Sequence, residues 1–438
     1  MKTNPITYLT VVTLGCAKNL VDSEFLTGRL KASGLKVYHE FKSGLTEAVV
    51  INTCGFINDA KEESIDTILE YLKLKEQNEI RQVFVMGCLT QRYREEISKE
   101  LPQLDGVFGV NEQDKVIESI TGRLRKELAG ERMLTTPAHY AYLKISEGCD
   151  RSCSFCAIPE IRGRNVSRSI DELKNEAESL ASRGVKELIL IAQDLTYYGI
   201  DRYGKRMLAQ LLRELDKVKG VRWIRLHYTY PAGFPLEVLD VMRKSSKVCN
   251  YLDIPLQHID DDLLRSMRRG IDGEKTEALI NTIRQTVPNI TIRTTLIAGY
   301  PGETEDQFRK LMEFAARMKF ERLGVFPYSH EEGTPAYALE DNIPLEIKQQ
   351  RVDQIMEQQQ EISLQNNRAR IGQNLWVVID REDEDYYAGR TEFDSPEVDN
   401  EILLDKSIEL NPGDFVEVNV TDADYFDLYG KVTLKETE

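Results

Sequence analysis

The sequence lacks the features that define several specialised protein classes. Its 438 residues contain no low-complexity tract. No run approaches the ~18 apolar residues of a membrane-spanning helix. Only five histidines are present, and we find no Ser/His/Asp or paired-carboxylate arrangement of the kind that hydrolases use. The sequence therefore gives no support to a membrane-spanning protein or a disordered chain.

We expect no export signal at the start of the sequence. The apolar segment Ile6–Gly15 ends at Cys16, as in a bacterial lipoprotein signal, but threonines interrupt it and Leu14 stands where a small residue is needed. A buried strand is the better interpretation. We therefore expect a cytoplasmic protein, where thiols stay reduced. The seven cysteines are then metal-ligand or core candidates rather than disulfide partners.

Positive charge is scarce at the carboxyl end of the chain. The net charge is −16 overall, but residues 372–438 contain 19 acidic and 5 basic side chains and so carry −14. The preceding residues carry only −2. An acidic segment of this kind repels nucleic-acid phosphates and attracts basic surfaces.

Apolar strands alternate with helical patterns in the first two thirds of the chain, which predicts the α/β class. We expect an N-terminal open parallel α/β domain in residues 1–128, with strands at Tyr8–Leu14, Ala48–Asn52 and Gln82–Met86. Residues 135–367 are expected to form a partial (βα)6 TIM-like barrel. Its six predicted strands are Ala141–Ser146, Glu187–Ala192, Trp223–His227, Tyr251–Pro255, Thr291–Ala298 and Leu323–Tyr328.

The last region, residues 370–438, changes character. It contains short segments rich in Val, Ile, Tyr and Phe, separated by turn residues such as Asn411-Pro412-Gly413. This pattern predicts a small antiparallel β-barrel. A long charged helix at Ile343–Asn367 is expected to precede it.

Three cysteines follow the first predicted barrel strand within eight residues. Cys149, Cys153 and Cys156 have the spacing C-x3-C-x2-C. Three thiolates can bind three irons of a four-iron, four-sulfur cluster, which leaves the fourth iron open for a substrate or cofactor. A zinc site would need a fourth ligand at matching spacing, and no Cys or His follows Cys156 closely. The spacing therefore favours a cluster over zinc or core packing.

A second set of cysteines has no linear motif. Cys16, Cys54 and Cys88 each follow an apolar strand directly. The carboxyl ends of parallel strands lie at one edge of a sheet, so these side chains are expected to converge. We expect a second cluster with one open iron; three unrelated core cysteines are the alternative. Cys249 has no such context and is expected in the core.

With its C-x3-C-x2-C motif after the first barrel strand, the sequence resembles the radical S-adenosylmethionine superfamily. This resemblance implies that Cys149, Cys153 and Cys156 hold a 4Fe-4S cluster whose open iron binds S-adenosylmethionine and cleaves it to a 5′-deoxyadenosyl radical. Gln193 and Asp194 are cofactor-binding candidates, although a helix-capping pair is an equal alternative. Gly299, Gly302 and Glu303 resemble the superfamily's Gly-rich adenine-side loop.

Two open clusters, a radical barrel and a C-terminal β-barrel together resemble the methylthiotransferases. The resemblance covers the whole chain and implies a TRAM-like C-terminal domain. Within that family, the segment Leu14–Glu24, which reads LGCAKNLVDSE, is similar to the branch that modifies an aspartate on the twelfth protein of the small ribosomal subunit. The tRNA-modifying branch typically reads GCQMN there. The segment Asp394–Asp399 is also similar to the ribosomal-protein branch.

The resemblance implies two 4Fe-4S clusters, S-adenosylmethionine as radical source and methyl donor, and a low-potential electron donor. The C-terminal charge of −14 suits a basic ribosomal protein and is not expected to bind RNA directly. Methylthiolation of a tRNA adenosine is the alternative within the family. An iron–sulfur carrier or electron-transfer protein is the alternative of another class, and the missing fourth ligand in both cysteine sets argues against it.

Overall fold

A computed structural model describes residues 6–125 and 130–435. The chain forms two compact units. The first comprises the residues through Thr136 with Glu147–Arg151 and Cys156–Arg164; the second comprises Pro137–Ser146, Ser152–Phe155 and the residues from Asn165 onward. The predicted end of the N-terminal domain, residue 128, lies outside the described residues. In the described ranges, no helix has the length and apolar character needed to cross a membrane.

The first unit contains the predicted parallel sheet. Its strands are β1 (Tyr8–Thr13), β2 (Lys36–Tyr38), β3 (Ala48–Thr53), β4 (Gln82–Gly87) and β5 (Gly106–Val107). The order is β2-β1-β3-β4-β5, and the pairings are all parallel. The helices are α1 (Ala17–Ala32), α2 (Asn58–Glu76), α3 (Cys88–Arg92), α4 (Arg94–Glu100), α5 (Gln113–Thr121) and α6 (Ile158–Arg162). The edge strands β2 and β5 were not predicted, since three and two residues are too few for a periodic pattern.

The side chains of the central strands point alternately to the two faces of this sheet, and a hydrophobic core forms on each face. Val50 and Phe84 point to one side, where they pack with Leu26 and Leu30 of α1. The neighbouring residues of the same strands pack on the other side with α2. Successive side chains of a strand face opposite ways, so a strand covered on both faces is buried along its length and is mostly apolar. All six residues of β3 are accordingly buried.

The second unit contains the partial barrel. Its sheet has six strands, β6 (Tyr140–Lys144), β9 (Glu187–Ile191), β10 (Trp223–Leu226), β11 (Val248–Asp253), β12 (Thr291–Ala298) and β13 (Arg322–Pro327). They pair in chain order and in parallel, as predicted. Two short strands, β7 (Ser146–Glu147) and β8 (Val166–Ser167), lie between β6 and β9 in the sequence. The carboxyl ends of the six strands form one edge, where barrel enzymes place their active sites.

Helices connect these strands in the order that a βα barrel requires. They are α7 (Ile170–Ser182), α8 (Ile200–Tyr203), α9 (Leu208–Leu215), α10 (Glu237–Lys244), α11 (Asp261–Ser266), α12 (Gly273–Thr286), α13 (Glu305–Met318) and α14 (Leu345–Arg368). Capping boxes at Ser169 and Thr304 fix the starts of α7 and α13. The long helix α14 matches the predicted helix at Ile343–Asn367 to within two residues.

The C-terminal region closes into the predicted barrel. Its strands are β14 (Asn374–Glu382), β15 (Tyr387–Thr391), β16 (Ile402–Leu404), β17 (Phe415–Ala423) and β18 (Leu428–Lys435). Closure follows the order β14-β15-β16-β18-β17. Four of the pairings are antiparallel, and β16 pairs with β18 in parallel. Inward-facing Val, Ile and Leu side chains fill its interior.

The segment of residues 392–399, between β15 and β16, packs against the partial barrel. Asp394 accepts a hydrogen bond from Arg322 Nε at 3.0 Å. Ser395 Oγ lies 2.8 Å from His227 Nε2, and Tyr251 donates its hydroxyl to Asp399 at 2.7 Å. This segment contains the Asp394–Asp399 sequence that resembles the ribosomal-protein branch. Its residues Asp394 and Asp399 therefore form hydrogen bonds within the second unit.

Candidate metal centre

The first unit brings Cys16, Cys54 and Cys88 together. They follow β1, β3 and β4 at the carboxyl edge of the sheet. Burial raises the pKa of Cys88 to about 12; Arg162 opposes this, and the negative charges of Cys16 and Cys54 add to it. Burial likewise raises the pKa of Cys54, with Cys16 contributing. Because β1, β3 and β4 are neighbours in the sheet, the three cysteines lie at one edge of it, and their role as ligands of one cluster stays a prediction.

Two glycines allow the close approach of these strand ends. Gly15 has φ +84°, and a Cβ there would lie 2.8 Å from Cys54 Sγ. Gly87 has φ +110°, and its Cβ would lie 2.5 Å from the side-chain oxygen of Asn52. Both positions need the left-handed region and have no space for a side chain, so only glycine fits.

Asn19 holds the loops that precede two of the cysteines. Its Nδ2 donates to the carbonyl oxygens of Leu14 at 2.9 Å and Thr53 at 3.0 Å. Asn52 Nδ2 in turn donates to the Asn19 carbonyl at 2.9 Å. Asn19 is completely buried. A residue of the LGCAKNLVDSE segment therefore fixes the geometry of the cysteine site.

Arg162 completes this site and was not predicted. Its Nη2 lies 3.6 Å from Cys88 Sγ and donates to Asn19 Oδ1 at 2.5 Å. Its Nη1 donates to Asp22 at 3.1 Å and Glu147 at 2.9 Å. Burial opposes the charged form, but the two carboxylates raise the pKa of Arg162 well above its usual value, so the group stays a cation. No sequence pattern pairs Arg162 with residues some 140 positions away.

The C-x3-C-x2-C motif begins after the short strand β7, which was not predicted and which follows the first barrel strand β6. In the first unit, the Cys149 amide donates to the Gly163 carbonyl at 3.0 Å. In the second unit, Cys153 Sγ lies 3.3 Å from Arg269 Nη1 and 3.5 Å from the Tyr230 hydroxyl. Hydrogen-bond donors around a thiolate stabilise its charge. Cys153 is buried, whereas Cys149 and Cys156 are half-buried.

The Gly-rich loop after β12 touches the cysteine loop inside the second unit. The hydroxyl of Tyr300 lies 2.9 Å from Ser154 Oγ. Glu303 accepts hydrogen bonds from the Gly299 amide at 2.5 Å and from Arg351 at 2.7 Å, and it lies 3.0 Å from His258 Nε2. Glu303 therefore shapes this loop by internal bonds.

The remaining cofactor candidates lie at the expected edge of the barrel sheet. Gln193 and Asp194 directly follow β9. Asp194 is buried and accepts from the Thr196 amide at 2.8 Å and its hydroxyl at 2.6 Å, which is the capping arrangement considered from the sequence. Gly299 and Gly302 both have positive φ, +75° and +80°. A cofactor contact at any of these positions stays a prediction.

The donor set fits iron–sulfur clusters. All seven cysteines lie in the described residues, and none forms a disulfide. Cys16 is exposed and Cys54 half-buried, so the first-unit site opens on one side. Within the described ranges, no three His, Cys, Asp or Glu side chains are close enough to hold a single metal ion. Thiolates alone are the usual ligands of clusters, whose irons take one cysteine each.

Family models match all three regions. Residues 143–315 match the model "Radical SAM superfamily", residues 8–109 match "Uncharacterized protein family UPF0004", and residues 371–433 match "TRAM domain". The first of these covers the cysteine loop and the Gly-rich loop. The last covers the five-stranded barrel.

Solved structures share the fold at low identity. The chain is similar to the radical S-adenosylmethionine methyltransferase TsrM from Kitasatospora setae, with cobalamin and a [4Fe-4S] cluster bound (TM-score 0.55, 16% identity, 76% of this chain and 77% of that one). It is also similar to the cobalamin-dependent S-adenosylmethionine radical enzyme OxsB (TM-score 0.51, 13% identity, 82% and 56%). At this identity the likeness concerns the fold alone.

Curated relatives are similar over nearly the whole chain. Ribosomal protein uS12 methylthiotransferase RimO of Christiangramia forsetii is 56% identical over 98% of this chain and 95% of its own. The RimO proteins of Flavobacterium psychrophilum and Cytophaga hutchinsonii are 54% and 52% identical, over 97% and 98% of this chain and 97% and 99% of their own. The chain belongs to the RimO family of radical S-adenosylmethionine methylthiotransferases.

Proposed function

We propose that this protein adds a methylthio group to the β-carbon of an aspartate on ribosomal protein uS12, using two iron–sulfur clusters. Cys149, Cys153 and Cys156 would hold the radical cluster; its open iron would take S-adenosylmethionine. Cys16, Cys54 and Cys88 would hold the second cluster. Together these groups would supply a carbon radical that removes an unactivated hydrogen, and the sulfur that replaces it.

The convergence of Cys16, Cys54 and Cys88 in the first unit carries this proposal. A radical enzyme that only abstracts hydrogen needs one cluster, whereas the insertion of sulfur needs a second place to hold it. Three thiols leave one iron of a cluster without a protein ligand. The exposed side of this site, at Cys16, gives a sulfur donor access to that position.

The chain's own residues would position and shield the reacting groups. The hydroxyl of Tyr300 lies 2.9 Å from Ser154 Oγ, and this contact between the Gly-rich loop and the cysteine loop would fix one wall of the cofactor site. Arg269 and Tyr230 surround Cys153 with donors. A radical needs a target carbon held close to it and few competing groups nearby, so rigid walls serve the reaction better than acid–base residues do.

The acidic C-terminal barrel would dock the basic substrate protein. Five of its acidic residues contact the partial barrel instead: Asp380, Glu392, Asp394, Glu397 and Asp399. The turn between β14 and β15 remains at the surface, with Glu384 and Asp385 exposed. These two carboxylates would attract a Lys- and Arg-rich surface, mainly by accelerating encounter.

Mass spectrometry of ribosomal proteins and digested tRNA from a strain without this protein tests the proposal. We expect uS12 to lose the mass of one methylthio group while tRNA stays unchanged, and fragmentation to place the loss on an aspartate. A loss from tRNA would transfer the activity to the sister branch. Restoration by the wild-type gene but not by a Cys54→Ala gene would link the modification to the second site.

A further inference from the structure

A buried arginine contacts the proposed sulfur-carrying site, although it belongs to neither of the two cysteine sets found in the sequence. Arg162 ends helix α6, six residues after Cys156, and lies in the same unit as Cys16, Cys54 and Cys88. Its side chain is only 2% exposed. The Nη2 atom is 3.6 Å from Cys88 Sγ, within reach of an N–H to sulfur hydrogen bond.

The surroundings of Arg162 fix the guanidinium in this position. Asp22 and Glu147 hold Nη1, and the Asn19 side-chain oxygen accepts from Nη2 at 2.5 Å. Asn19 also bonds the Leu14 and Thr53 carbonyls that precede the other two cysteines. A planar guanidinium held at three points cannot rotate away from the sulfur. Its contact with Cys88 is therefore built into the site.

Charge gives this contact a chemical consequence. Three thiolates make a cluster site negative, and reduction adds a further negative charge. A cation and an N–H donor at a ligand sulfur stabilise the reduced, more negative state more than the oxidised one, which raises the reduction potential. The two carboxylates weaken the net charge, but both contact Nη1, whereas the Cys88 contact is made by Nη2.

We propose that Arg162 is a positioning residue that holds the Cys88 thiolate by a hydrogen bond and raises the reduction potential of the second cluster. This inference rests on the proposed function, since it requires a cluster at Cys16, Cys54 and Cys88. The residue acts through Cys88 and does not itself touch a reacting atom. It sets how easily the second site is reduced, independently of the radical cluster.

The full-length protein with Cys149→Ala, Cys153→Ala and Cys156→Ala isolates the second site for the test. In this parent we would compare Arg162→Lys, which keeps the charge, with Arg162→Met combined with Asp22→Asn, which removes the more deeply buried of the two carboxylates that would lose their arginine partner. Iron and sulfide content, the electron paramagnetic resonance spectrum of the reduced cluster and its midpoint potential would be measured. Arg29→Met is the matched control, because Arg29 is a buried arginine of the same unit whose partner, Asp114, is largely exposed.

We expect iron content to be retained, with the potential lowered in Arg162→Met/Asp22→Asn, lowered less in Arg162→Lys, and unchanged in Arg29→Met. Equal potentials in all the proteins would overturn the inference and leave the second cluster intact. Loss of iron from both Arg162 variants but not from the control would overturn the tuning role in favour of a purely structural one. A parent without iron would overturn the second cluster itself, and this inference with it.

Discussion

The guanidinium of Arg390, in the C-terminal barrel, pairs with the carboxylate of Glu187, at the start of the second strand of the partial barrel, at 2.8 Å. Both side chains are almost completely buried. The other Glu187 oxygen accepts from Arg225 Nε at 2.7 Å. Arg390 also pairs with Asp380, which lies 2.7 Å from His139 Nε2. A charged network thus joins the two barrels of the second unit.

We predict that Glu187→Gln lowers the free energy of unfolding by about 3–5 kcal/mol, because it removes the buried carboxylate that pairs with both Arg225 and Arg390 and leaves only Asp380 as a carboxylate partner of Arg390. Anaerobic urea unfolding of the intact protein, followed by circular dichroism, measures this. Glu178→Gln is the control: Glu178 is exposed on α7, and the change there should stay within about 0.5 kcal/mol. Equal effects in the two variants would contradict the structural role of the network.

The same carboxyl group gives a pH dependence. Burial alone would raise the pKa of Glu187, but Arg390 and Arg225 outweigh it and hold the pKa below the ordinary value of 4.5. A group with a depressed folded-state pKa stabilises the protein above its unfolded pKa and loses that effect as the pH falls through the folded value. The stability difference between wild type and Glu187→Gln should therefore shrink as the pH falls below the ordinary value of 4.5 and through the lower pKa of the folded state. A constant difference in urea unfolding across that range would refute the assignment.

Substitution of Gly15 should disturb the second cluster site and leave the radical cluster site intact. Gly15→Ala would place a Cβ 2.8 Å from Cys54 Sγ and push the thiol out of line. We expect about half of the cluster iron to be lost, with cleavage of S-adenosylmethionine retained. Gly34→Ala is matched, since Gly34 has φ +100° and nothing within 4 Å. Gly34→Ala should lower stability by about 1 kcal/mol through backbone strain and should retain all of its iron. Measurement of the iron content distinguishes the two variants.

Substitutions in the two cysteine sets should abolish different activities. Cys153→Ala should abolish cleavage of S-adenosylmethionine, because it removes a ligand of the radical cluster. Cys54→Ala should retain cleavage and lose sulfur insertion into uS12. Product analysis by chromatography measures both, with Cys249→Ala, a core cysteine packed on Trp223 and Tyr251, as the control that should retain both activities. Equal loss of cleavage in the Cys153 and Cys54 variants would remove the proposed division of roles.

Charge reversal on the β14–β15 turn should weaken substrate docking. We expect Glu384→Lys/Asp385→Lys to raise the KM for purified uS12 about tenfold at low salt, with kcat unchanged and the effect reduced at high salt. Glu178→Lys/Glu357→Lys makes the same change in net charge at exposed helix positions outside the C-terminal barrel. If both double variants raise the KM equally, overall charge rather than this turn attracts the substrate.

The sequence alone was sufficient for the architecture and for the cysteine sets. The first four residues of strand β3 are apolar because both faces of its sheet are covered, and such runs are visible without a structure. The six barrel strands alternate with helices, and the C-x3-C-x2-C motif follows the first of them. Cys16, Cys54 and Cys88 could be grouped because parallel strands end at one edge. Local periodicity and chain order contain this information.

Only the tertiary structure could bring in Arg162, Arg390 and Glu187. Arg162 lies 74 residues from Cys88 and Arg390 lies 203 residues from Glu187, and no periodic pattern marks a buried charge that is paired across such a distance. The short strands β2 and β5 likewise exist because a neighbouring strand offers backbone partners. Acidic residues such as Asp394 and Asp399, which composition places with a charged surface, turn inward to arginine and tyrosine partners. Composition counts charges, but packing decides which of them meet solvent.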